Sequence, residues 1–128
     1  MKVKDVELFE KLKSQVQHLF NEMSSLSKKS PDGPINKFKL KFINEKLRES
    51  NSFLVGPHKP FADFECFDDS NLPTNSDVVL ILSQYIDCLE GFRCANTTRD
   101  GLIHWKWNTD ESTSIRTDPP TRFKKGEE

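Results

Sequence analysis

No aliphatic run in this 128-residue chain is longer than the five residues of "VVLIL" (Val78 to Leu82). That is far short of the roughly 18 apolar residues a membrane-crossing helix requires, so no such helix is expected. The N-terminal "MKVKDVELFEKL" scatters charges through any stretch that would form the apolar core of a signal peptide, and none is expected there. Glycine is scarce as well. The five glycines stand singly, so there is no glycine-rich loop to cradle a phosphate. Three cysteines (Cys66, Cys88, Cys94) are an odd number without C-x-x-C spacing, which argues against a disulfide scaffold and for the cytoplasm.

Catalytic constellations are missing too. His18, His58 and His104 lack the spacing of zinc ligands, and His58 with Cys66 would be half a site. Asp63, Glu65 and Asp69 alternate as calcium-loop ligands do. But the sixth loop position is Asp68 instead of glycine and the twelfth is Thr74 instead of glutamate. There is no G-x-S-x-G, and no cysteine has a nucleophile's flanking signature. The chain therefore reads as non-enzymatic, without metal or cofactor.

What is present is an unusual balance. Apolar residues are 34% of the chain, and charged residues are 30%, above the usual share of about 25%. Ten phenylalanines carry much of the apolar inventory, so a small, aromatic-rich core is expected. The net charge of −1 is unevenly spread. Residues 1–60 hold 12 Lys/Arg against 7 Asp/Glu, residues 61–111 hold 3 against 10, and residues 112–128 hold 4 against 3. Such polarity can steer a charged partner or a second copy.

Periodicity predicts three helices. From about 3 to 29, Phe9, Leu12, Val16, Leu19, Met23 and Leu26 alternate steps of three and four, a seam that "SPDGP" ends. The seam is under three heptads long and lacks flanking charge pairs, so a bundle helix is preferred to a coiled coil. A second helix is expected from Pro34 or Ile35 to Phe53, with Ile35, Phe38, Phe42, Ile43, Leu47 and Leu54 on its buried face. Its first turns, "KFKLKF", also alternate as a strand would, but "INEKLRES" has helix propensity and decides for helix. A third helix, from about Ser76 to Ala95, has the widest apolar face and is expected to be central. Thr74 or Asn75 is placed to cap it, and Asp77 falls in its first turn. Then "GLIHWKWN" and "TSIRT" read as two short strands. The expected fold is a mainly α three-helix antiparallel bundle with a long loop between helices 2 and 3 and a short C-terminal hairpin-like segment. Residues 1–108 form the bundle with its attached strand, and 109–128 a return strand and polar tail.

Two aromatic groups are the candidate partner-binding residues. "PFADFECFDD" spaces Phe61, Phe64 and Phe67 by three among carboxylates, as a strap over the core or as an exposed docking motif. Trp105 and Trp107, with Ile103 beside them and Arg116 on the return strand, complete the core or meet a second chain. The expected function is a small cytoplasmic protein-interaction module: an adaptor, regulator or inhibitor. A homodimer is expected, through whatever part of the first helix (Phe9, Leu12 or Met23) overhangs a shorter bundle. The alternative is a nucleic-acid-associated protein using the basic second helix and the basic tail. A pI near 6.3 and the acidic middle segment argue against it.

Overall fold

The structure, a computed structural model, describes residues 1–100, 104–109 and 115–120. Its first helix, α1 (Val3–Lys29), is an unbroken run of 27 residues. Val6, Phe9, Leu12, Val16 and Met23 are buried, while Leu19 and Leu26 are partly covered against the same core. Helix α2 (Lys37–Phe53) begins where the Asn36 side chain accepts from the Lys39 N–H at 2.7 Å. It starts later than expected because Ile35 is held outside it, its N–H bonded to the Pro73 carbonyl.

Helix α3 (Asn75–Ala95) carries a reciprocal cap. The Asp77 N–H donates to Thr74 Oγ1 at 3.1 Å, and the Thr74 N–H donates to Asp77 Oδ2 at 3.4 Å. Such a box satisfies two otherwise orphaned donors at the helix start.

The helix directions follow from contacts at their ends. Phe9, near the start of α1, touches Phe53 at the end of α2 and Phe92 at the end of α3. At the other end, Asn75 Nδ2 donates to the Ser30 carbonyl, and the Pro34–Thr74 bridge ties the α1–α2 turn to the entrance of α3. Helix α1 is therefore antiparallel to both neighbours, which run the same way as each other. Residues 54–74 make this possible by returning the chain along the bundle. Gly56, at φ +60°, turns that crossover as it leaves α2, a conformation open to glycine at little cost. The expectation that α3 is the central helix needs correcting: α1 is the helix packed along both others, and α2 and α3 meet least.

Three strands close the α1–α3 end. They are β1 (Thr97–Asp100), β2 (His104–Trp107) and β3 (Arg116–Thr117), antiparallel in that order. Thr97 lies opposite Trp107 and Trp105 opposite Thr117. Two strands were expected, and β1 is the addition. It follows α3 almost without a loop, because the Asn96 N–H and the Thr97 hydroxyl both bond back to the last carbonyls of the helix.

Candidate functional site

Most of the residues singled out in the sequence are structural in place. Trp107 is 2% exposed, packs edge-on against Phe9 at 5.1 Å, and donates its indole N–H to Glu10 Oε1 at 2.7 Å. Trp105 is buried beside it on the same face of β2. These two rings face the interior, so a partner of the folded chain does not reach them. Ile103 lies outside the described residues. Phe64 and Phe67 pack against the core as a strap between α2 and α3, with their rings 5.2 Å apart and Phe64 6.4 Å from Tyr85. Among the described residues of the predicted group, only Phe61 and Arg116 are exposed. Phe9, Leu12 and Met23 are buried within the chain, which removes the overhang that suggested a dimer through α1.

Under the sheet lies a polar network that the sequence pattern did not reveal. Glu90 is 2% exposed and meets Lys13 Nζ and both Nε and Nη2 of Arg93. Arg93 Nη1 continues to Thr117 Oγ1, which donates to the same Glu10 oxygen that Trp107 uses. Burial pushes the Glu90 carboxyl up. The hydrogen bonds and charges of Arg93 and Lys13 together outweigh burial and hold it below the usual carboxylate range. A 230 Å³ groove beside it is lined by Lys13, His18, Arg93 and Asp118. Its two strongest cations are already committed to Glu90, so the groove is the rim of a structural tie between α1, α3 and β3.

The exposed feature lies on α2. Phe38 is 71% and Phe42 41% exposed, and their rings stack edge to face at 5.0 Å. This corrects the expected burial of both. Leu40, Ile43, Leu47, Ser50 and Leu54 are the buried line, in steps of three, four, three and four. At 100° per residue that line leaves Phe38 and Phe42 on the opposite side. The spacing is present in the sequence, but a broad projected face that groups Phe38 and Phe42 with Ile43 and Leu47 fits the same residues. Leu8, Val55 and Leu80 are also exposed, but scattered singly, which is ordinary for a protein surface. An adjacent pair of rings is a patch.

Cations frame the patch. Lys37 and Lys41 make no ion pair with any described residue, and with Arg48 they line a 530 Å³ groove whose far wall is Asp69 and Ser70. On the other flank Lys39 bonds Glu22 at 3.0 Å. Farther along α2, Glu45 and Glu49 lie near Lys46 with much of their side chains still exposed. This assembly offers apolar contact and charge, with no nucleophile–base pair. Among the described residues no three His, Cys, Asp or Glu side chains gather as metal ligands would, and no helix is long and apolar enough to cross a membrane. No protein-family model, curated protein or solved structure matches the chain.

Proposed function

We propose that this chain is a small, non-catalytic protein-interaction module of the cytoplasm, docking through Phe38 and Phe42 on α2. The observation that carries this is an edge-to-face ring pair left in water by a chain short of apolar residues, on a helix whose core face is complete without it. Burying each ring against a partner would stabilise a complex by about 1.5–3 kcal/mol before the cost of association. Two unpaired lysines at the rim would add steering and orientation. The cytoplasmic assignment draws support from three cysteines that form no disulfide.

A nucleic-acid reading has one observation in its favour, the row of Lys37, Lys41 and Arg48 beside rings on which bases could stack. Asp69 in the facing wall and the carboxylates at the end of α2 weigh against a polyanion there.

The test is partner capture from the native host with the parent and with a Phe38→Glu/Phe42→Glu variant, followed by rebinding of the identified partner in purified form. Loss of rebinding in a variant that remains fully folded at the binding temperature supports the proposal. Binding indifferent to both rings contradicts it. Retention of oligonucleotides, with affinity falling steeply against log salt, would move the assignment to nucleic acid.

A further inference from the structure

The charge order along α2 runs against the helix itself. Its N-terminal turns carry Lys37, Lys39 and Lys41 with no acidic residue in the first turn, and its second half carries Glu45 and Glu49 beside Lys46 and Arg48, with no basic residue in the last turn. The helix dipole disfavours cations at its start, so this order does not serve the stability of the first turns of α2. Nor do the outer rings serve the core. Both features become useful if the exposed face meets a copy of itself running the other way.

We propose that the partner is a second copy of this chain, docked antiparallel through α2 about a two-fold axis near Ile43. The inference rests on the Phe38–Phe42 surface proposed above and names its occupant. Ile43 is the midpoint of Lys41 and Glu45, so the two-fold places Lys41 opposite the partner's Glu45 and repeats the pair on the other side. With a rise of about 1.5 Å per residue, Phe42 then falls within about 3 Å, along the axis, of the partner's Phe42. The two Phe42 rings meet between the two ion pairs, and each Phe38 packs against its own Phe42 about 7.5 Å along the helix from the two-fold. Lys41 has no competing ion pair, and Glu45 has only Lys46, at 3.9 Å. The antiparallel arrangement also opposes the two helix dipoles favourably. A patch this small falls short of the roughly 1,600 Å² of a standard interface, so the dimer is a reversible, micromolar one.

The experiment is sedimentation equilibrium of the full chain up to high micromolar concentration, with circular dichroism of every variant as a folding control. The parent is expected to approach twice the chain mass and Phe42→Glu to remain a monomer. Lys41→Glu and Glu45→Lys should each weaken association by about tenfold, through like charges set face to face. The double variant Lys41→Glu/Glu45→Lys should recover the parent's behaviour, because both intermolecular pairs are restored with reversed sign. A parent that stays monomeric overturns the proposal. So does a dimer whose charge variants show no loss and rescue, since that is not the antiparallel register. If the parent is monomeric yet a different purified protein binds in a Phe38- and Phe42-dependent way, the docking surface stands and the self-association fails. If neither occurs, both fail.

Discussion

The side chain of Asn44 grips the backbone of Phe67 at both ends of its peptide groups. Asn44 Nδ2 donates to the Phe67 carbonyl at 2.9 Å, and the Phe67 N–H donates to Asn44 Oδ1 at 2.9 Å. A carboxamide offers a donor and an acceptor side by side, so it imitates the edge of a strand. Asn44 is buried, and this clamp fixes where the crossover lies against α2. Asn51 adds a second hold lower on the helix, donating to the Glu65 carbonyl while accepting from the Tyr85 hydroxyl.

Asn44→Ala is expected to destabilise the fold by about 1–3 kcal/mol, because two backbone groups lose their partner in a partly closed site. Urea unfolding measures this directly. Asn44→Asp should cost at least as much when ionised, since it keeps the acceptor but sets a carboxylate oxygen against the Phe67 carbonyl in a buried site.

How much of this was legible in advance differs element by element. The seam of α1 and the Thr74 cap of α3 are set by neighbouring residues, and both ends of each helix were readable to within a residue. The crossover's rings were placed by a scarcity argument: so few apolar residues leave little reason to expose Phe64 and Phe67. Phe38 and Phe42 read as buried because a helical projection groups them with Ile43 and Leu47 on one broad face. Leu40, turned inward, rotates the core face away from both rings. The β1 strand was hidden because Thr97 and Thr98 follow directly on the helix end. Only pairing with Trp107 and Lys106, about eight to ten residues on, makes them a strand. The Glu10–Lys13–Glu90–Arg93 network joins residues some 80 positions apart, and no local pattern encodes it.

Trp105→Ala and Trp107→Ala should each cost roughly 3–5 kcal/mol, as buried aromatic truncations do. Trp107→Phe should cost less, but still register, because Glu10 loses the indole donor. Thermal denaturation followed by near-ultraviolet circular dichroism reads both the loss and its location. A melting temperature unchanged by either alanine would place the indoles outside the core.

The Glu90 carboxyl, held below its ordinary range in the folded chain, makes stability pH-dependent with a definite sign. Its contribution is fully present above the unfolded value of about 4.3 and is lost as pH falls through the lower folded value. Urea unfolding from neutral pH down to about pH 3 should show this acid loss, and Glu90→Gln should remove its share of the slope. At neutral pH Glu90→Gln should cost about 3 kcal/mol, the low end for a broken buried pair, because Lys13 keeps 18% of its side chain in water.

Phe38→Glu should change stability by no more than about 0.5 kcal/mol, the range for a surface substitution away from packing features. Phe42→Glu sits closer to the core, and its loss is expected to stay near 1 kcal/mol. Chemical denaturation of the two variants checks this. It also licenses their use as binding probes, since a residue that folding does not need and binding does is a docking residue.

The most direct measurement of the central claim replaces Phe38 with a photo-reactive phenylalanine analogue in the native host and irradiates the cells. A second variant with the analogue at Leu80, the exposed leucine of α3, is the control. The account predicts protein adducts from position 38, at a defined mass and sensitive to Phe42→Glu, and none at that mass from position 80. Equal adducts from both positions, or nucleic acid alone captured at position 38, would contradict it.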